Sequence, residues 1–158
     1  GKEVISLRNK QVSVLDVAHY ILVKCGKLTT MKLQKITYYC QAWSLAWDEL
    51  PLFDEDFQAW ANGPVCPELF AAHRGMFEVG PKDIPGNPEL FDPNQKETMD
   101  NVIQAYADKS PQWLSDLTHS EGPWREARKR RHAAPGERCD EIITKEEMQS
   151  FYGGLIGS

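Results

Sequence analysis

The sequence predicts a mainly α-helical fold, a compact single domain around a buried central helix at about residues 29–48, with a minor short β-strand pair or hairpin. Three observations point there. Apolar residues recur at three- and four-residue spacing over much of the chain, the periodicity of helices with one buried face. The stretch 29–48 is apolar on nearly every side, which suits a helix enclosed by others. Strand-like texture is confined to short runs, Phe57–Trp60 and Ile142–Ile143. With 158 residues, 41% of them hydrophobic, the chain has material for one core, placed in residues 12–156 behind an N-terminal extension, 1–11.

The first helix places Val14, Val17, Ala18, Ile21, Leu22 and Cys25 on one face, with Ser13 as its cap and Gly26 as its left-handed stop. The central helix starts at Thr29 or Thr30, and its stripes carry Leu33, Ile36, Tyr39, Cys40, Trp43 and Trp47, the two tryptophans expected in the core. Asn62-Gly63-Pro64 turns the chain after Phe57–Trp60. Pro67 opens a helix to Arg74, because its missing N–H would be unbonded in the first turn anyway. Residues 75–93, rich in Gly and Pro, read as a loop with a short extended piece. A third long helix follows over 94–108, with Met99, Val102, Ile103 and Tyr106 buried, and Pro111 opens another that ends near Gly122. Residues 124–131 can be helical, Ile142–Ile143 can pair with Phe57–Trp60, and Thr144 with Glu147 forms a capping box for a last helix.

A net charge of -5 argues against bulk attraction to nucleic acid or to an anionic membrane. No apolar run approaches the roughly 20 residues of a membrane span, and nothing at Gly1-Lys2-Glu3 reads as a signal peptide. Cys25, Cys40, Cys66 and Cys139 show no CxxC pairing and are expected as free thiols, which suits a reducing, cytoplasmic setting.

The search for chemistry yields no catalytic residue, no metal site and no cofactor site. His19, His73, His119 and His132 make no ligand spacing. Cys66 at a helix start, with His73 or His119, has one feature of an activated thiol but no orienting carboxylate. His119 is expected as a cation at a helix end. Arg125, Arg128, Lys129, Arg130 and Arg131 put five positive charges within seven residues, offset by Glu126. That run reads as a solvated helix face, a docking surface for an acidic partner, or a nucleic-acid patch. Trp60 and Trp124 each stand beside a Gly-Pro turn, where an aromatic serves as core or as an anchor for a partner. The candidate partner-binding surface therefore combines Trp60, Asn62, Gly63 and Pro64 with Trp124, Arg125, Arg128, Lys129, Arg130 and Arg131.

Lys32-Leu33-Gln34-Lys35-Ile36 and Tyr38-Tyr39-Cys40-Gln41-Ala42-Trp43 resemble the leading signature of the Panacea antitoxin domain, the family of SocA-like antitoxins and phage-associated GepA-like proteins. The resemblance continues through Pro51-Leu52-Phe53, Phe57-Gln58-Ala59-Trp60, Gly63-Pro64-Val65 and Pro67. Leu117-Thr118-His119 and Trp124 are similar to a second block, so that it is traced over residues 12 to 155. Thr30, where the family often has proline, and Cys66, in place of an aliphatic or aromatic residue, are departures compatible with the same geometry. The resemblance implies a binding module of a toxin–antitoxin system that neutralises a cognate toxin directly. It also implies the alternative of an adaptor delivering the toxin to a ClpXP-type protease. The basic run supplies a further alternative, a DNA-binding autoregulator. No catalytic residue is carried over.

Overall fold

The computed structural model describes residues 11–156, so the expected extension 1–11 lies outside the described residues except for its last position. Helix α1, Val14–Cys25, begins with a full capping box: the Ser13 hydroxyl accepts from the Leu15 and Asp16 N–H groups, and the Asp16 carboxylate accepts from the Ser13 N–H at 2.8 Å. Strand β1, Leu28–Thr29, leads into α2, Thr30–Trp47, the predicted central helix. It packs against the helices at Lys145–Ile156 and Pro93–Tyr106, then α1 and the helix at Pro111–Ser120, in the order of how extensively they touch it. Leu33, Ile36, Tyr39, Cys40 and Ala42 have no exposed surface. Each large aliphatic side chain so buried contributes roughly 1.5–3 kcal/mol.

Strands β2, Phe57–Trp60, and β3, Gly63–Val65, form an antiparallel hairpin, with Trp60 opposite Gly63 and Gln58 opposite Val65. Strand β5, Ile142–Ile143, pairs antiparallel with the other edge of β2, Phe57 opposite Ile143, as the sequence suggests. Pro64 sits in the edge strand of this β3-β2-β5 sheet, where the N–H it lacks is not needed for a ladder. Helix α3, Pro67–His73, follows; the expected loop after it contains strand β4, Glu78–Val79, which pairs antiparallel with β1, and one 3-10 turn at Pro88–Leu90. The β1–β4 pair is too short to carry an alternating pattern, and it is set by the contact between two loops.

Helix α4, Pro93–Tyr106, has an Asp92–Gln95 capping box and buries Met99 and Val102, while Ile103 and Tyr106 stay half-buried. Helix α5, Pro111–Ser120, is capped by Ser110; α6, Gly122–Arg130, starts at Gly122-Pro123, two residues before the expected 124. Helix α7, Lys145–Ile156, begins with the predicted Thr144–Glu147 capping box and runs through Gly153 and Gly154. No helix among the described residues is long and apolar enough to cross a membrane.

One core assignment is corrected. Trp47, the last residue of α2, is 43% exposed and stacks on the ring of Trp43 at 4.9 Å. Trp43 is itself half-buried and donates its indole N–H to the Tyr106 hydroxyl at 2.9 Å. The apolar stripe outruns the helices that cover it, so its final turn is left in solvent.

Gly63 is where the hairpin is most constrained. Its φ is +119°, and a Cβ there would lie 2.5 Å from Lys35 Cε and 2.9 Å from Thr118 Oγ1. Gly136 also has positive φ, +79°, but faces open space. Gly63→Ala is therefore expected to lower stability by more than about 2 kcal/mol, strain and clash adding. Gly136→Ala should cost about 1 kcal/mol, from strain alone. Denaturant unfolding of the two variants checks the contrast.

Candidate functional site

The residues singled out in the sequence converge on strand β2, but most of them turn inward. Helix α6 lies across β2 and holds its backbone: the Trp124 indole N–H donates to the Trp60 carbonyl at 2.8 Å, and Arg128 donates to the Ala59 carbonyl at 2.9 Å. The second terminal nitrogen of Arg128 donates to the carbonyls of Ala134 at 2.8 Å and Glu137 at 2.6 Å, tying the segment after α6 to the helix. Its guanidinium also lies 5.1 Å from the centre of the Trp124 ring. Arg128 is buried, at 4% exposure, so its place in a solvent-facing basic surface is corrected: it is a structural clamp.

Arg130 donates to Glu141 at 2.9 Å, to the Ile142 carbonyl at 3.0 Å and to Glu147, while Arg131 donates to Asp140 at 2.8 Å. Neighbouring carboxylates thus neutralise both. Arg125 and Lys129 are exposed cations of α6 that form no ion pair among the described residues, beside a groove of about 540 Å³ that Trp124 and His132 also line. Two such charges release few counterions, so the sequence-stretch reading of α6 as a nucleic-acid patch loses its physical basis. Gly63 and Pro64 are also interior: Gly63 packs on Lys35, and the Pro64 carbonyl accepts from Lys35 Nζ at 3.2 Å. Asn62 accepts from the Ser115 hydroxyl through its carbonyl at 2.7 Å.

The ring of Trp60 stands edge-on to Phe70 at 5.0 Å. It forms one wall of a pocket of about 570 Å³, with Met31, Val65 and Phe70 as further apolar walls and Asn62, Arg138 and Asp140 among its polar residues. Lys35 contributes to the same pocket from α2 and is 1% exposed. Burial lowers its amine from 10.5 to about 7, because little in the surroundings replaces the water an ammonium loses. The signal was present in the sequence: a helix apolar on every side leaves Lys35 no solvent to reach.

Beside Lys35, Gln34 bridges α2 to α3. It accepts from the Cys66 N–H at 2.9 Å, and its amide nitrogen donates to the Cys66 carbonyl at 3.3 Å and to His73 Nε2 at 3.0 Å. That bond keeps His73 Nε2 an acceptor, and burial lowers its pKa. Burial pushes the Cys66 thiol up to about 12, outweighing the hydrogen bonds of the helix start, so it is not an activated nucleophile. All four cysteines are free thiols, with Cys40, Cys66 and Cys139 buried. His119 lies in the last turn of α5, but its ring stacks flat on Trp124 at 4.0 Å. Burial lowers its pKa, correcting the expectation of a cationic helix cap.

A second buried polar cluster lies at the α5–α6 junction. Tyr39 and Tyr152 both donate to one oxygen of Glu121, at 2.7 and 2.8 Å, and Tyr38 donates to Tyr152 at 3.0 Å. Burial raises the Glu121 pKa against the two hydrogen bonds that lower it. Tyr39 further stacks on Tyr106 at 4.3 Å. Tyr39 lies on the stripe that the sequence places in the core, whereas the burial of Glu121 depends on which helices meet there. No group of three or more His, Cys, Asp or Glu side chains able to hold a metal ion occurs among the described residues.

A sequence model described as "Antitoxin SocA-like, Panacea domain" matches residues 33–125. The chain belongs to this family. The match is narrower than the span 12–155 over which the resemblance is traced, running from the first buried turn of α2 to the first turn of α6. Lys35, Trp60, Gly63, Glu121 and Trp124 lie inside the SocA-like match, whereas Arg128, Arg130, Arg131, β5 and α7 lie beyond it. No curated protein and no solved structure matches the chain.

Two stability measurements test this account. Arg128→Ala removes three hydrogen bonds from one guanidinium and should cost about 3 kcal/mol, whereas Lys129→Ala on the exposed side should stay within about 0.5 kcal/mol. Lys35→Met should be more stable than the wild type by about 1–4 kcal/mol near pH 6, where the folded protein carries a buried charge. Between about 7 and 10.5 the unfolded amine keeps a proton that the folded one has released, so wild-type stability gains with pH and the gap closes. A gap independent of pH in urea titrations would show that Lys35 is not held as described.

Proposed function

We propose that the chain is an antitoxin that neutralises a protein toxin by binding it directly, acting in the cytoplasm and without catalysis of its own. The carrying observation is the SocA-like Panacea match over residues 33–125, which covers the central helix, the hairpin and the α5–α6 junction. The geometry is consistent with a rigid binding module: α6 is fastened to β2 by Trp124 and Arg128, so the side chains it presents outward have fixed positions. Partner contact is assigned to that outward face, Arg125 and Lys129, continuing over Trp60 and Asn62 at the hairpin edge. Trp and Arg are the side chains that most often anchor protein interfaces. Arg128, Arg130, Arg131, Gly63 and Pro64 support this surface from within or through paired carboxylates.

The test is co-expression of the tagged chain with the products of the genes that adjoin its own. A stoichiometric complex with a small protein that is toxic alone, together with rescue of growth, is the expected result. The Arg125→Glu/Lys129→Glu pair, on exposed positions, should leave folding unchanged and weaken that complex at least about tenfold. Undiminished affinity would reject the surface and leave the antitoxin reading standing. A chain that purifies without a partner and rescues no growth would reject the reading itself.

A further inference from the structure

The Trp60 pocket and the groove beside α6 share a wall. Gly136, Arg138, Cys139 and Asp140 line the pocket of about 570 Å³, and His132, Ala133 and Pro135 line the groove of about 540 Å³, so the segment 132–140 borders both hollows. This segment is fastened along its length. Arg128 donates to the Ala134 and Glu137 carbonyls at 2.8 and 2.6 Å, and the Ala133 N–H donates to the Arg128 carbonyl at 3.0 Å. Further on, Asp140 accepts from Arg131 at 2.8 Å and the Cys139 side chain is buried.

Charge is spread unevenly around the shared wall. Arg125 and Lys129 line the groove and Arg138 lines the pocket; all three are exposed and form no ion pair among the described residues. No carboxylate lines the groove, and the one that lines the pocket, Asp140, is already held by Arg131. Glu126 and Glu137 belong to the same two elements but line neither hollow. The chain as a whole carries a net charge of -5, so these cations act on a group in contact with them rather than by attraction from a distance. The body of the pocket is apolar, with Trp60, Phe70, Met31 and Val65 as walls, and has room for a large side chain.

We infer that the segment 132–140 and the two hollows it borders form one docking surface for an acidic segment of the toxin. That segment seats a bulky apolar side chain in the Trp60 pocket and sets its carboxylates on Arg138, Arg125 and Lys129. Cations on both sides of one wall, beside an apolar pocket, call for an occupant with several anionic groups and an apolar one, which a peptide segment supplies. The assignment rests on the antitoxin reading and deepens it: Arg138 and the pocket join the contact surface, and the chemistry of the toxin's contact is stated. The apolar anchor supplies affinity, and the charges at its rim select the acidic neighbours.

The probe is the toxic neighbour recovered by co-expression, titrated into the full chain. Arg138→Glu, at an exposed position, should leave the thermal unfolding midpoint unchanged and weaken the complex at least about tenfold, whereas Arg138→Lys should bind as the wild type does. Lys82→Glu makes the same charge change at an exposed position that lines neither hollow, and should have no effect. Met31→Trp, which fills the pocket, should weaken the complex by a similar factor while the backbone amide spectrum shows the fold intact. In the wild type, the Met31 methyl signal should shift when the toxin is added, a reading that needs no variant. Full affinity in Arg138→Glu or in a folded Met31→Trp, an unmoved Met31 methyl, or equal losses from Lys82→Glu and Arg138→Glu would each overturn the assignment, while a complex that forms and rescues growth keeps the antitoxin reading. Absence of any complex rejects that reading and this assignment with it.

Discussion

A central helix enclosed on all sides must either be wholly apolar or find partners for each polar group it buries, and α2 does the second. Gln34 takes the backbone of Cys66, Lys35 the carbonyl of Pro64, Gln41 the backbone of Leu52 and Phe53, and Ser44 the carbonyl of Leu50. Every partner except Pro64, which lies in β3, belongs to a turn or connection rather than to a regular element. Because an unsatisfied buried amide or carbonyl costs about 1–3 kcal/mol, these bonds place the chain from Leu50 to Cys66 as firmly as apolar packing does. The hairpin position, and with it everything that rests on β2, follows from α2.

Helix α6 applies the same device from the other side. Trp124 and Arg128 satisfy the Trp60 and Ala59 carbonyls, so β2 is fastened to α6 through its own backbone. The clamp consumes the residues that look most like an interaction surface. Arg128 exchanges its solvation for three carbonyls, and Arg130 and Arg131 are absorbed by the carboxylates of the segment around β5. What faces outward is a smaller and less charged surface than the run of five cations suggests, which fits a protein partner better than a polyanion.

Lys35 is the exception to the economy of this core. The Gln side chains of α2 find two or three partners, whereas its amine finds one and is depressed by burial. Gly63 has to lack a side chain for Lys35 to lie where it does, so the cost is built into two elements at once. A conflict between local chemistry and burial of this kind is where function is to be sought in an otherwise consistent fold.

Helical periodicity, caps and Gly-Pro turns determined the helices and the central position of α2, because those signals are local and depend on neighbours three or four residues away; for β2 with β5 they offered a pairing that the tertiary structure decided. The motifs around Lys32–Trp43 and Trp60–Pro67 determined the family for the same reason. Only the tertiary structure decided that Trp47 is exposed, that Arg128 is interior and that Glu121 is shared by Tyr39 and Tyr152. It alone paired β1 with β4 and brought together the residues of the Trp60 pocket. Burial of a polar or aromatic side chain depends on which distant segment lies over it, and a charge reads the same in a sequence whether it meets water, a carboxylate or a carbonyl.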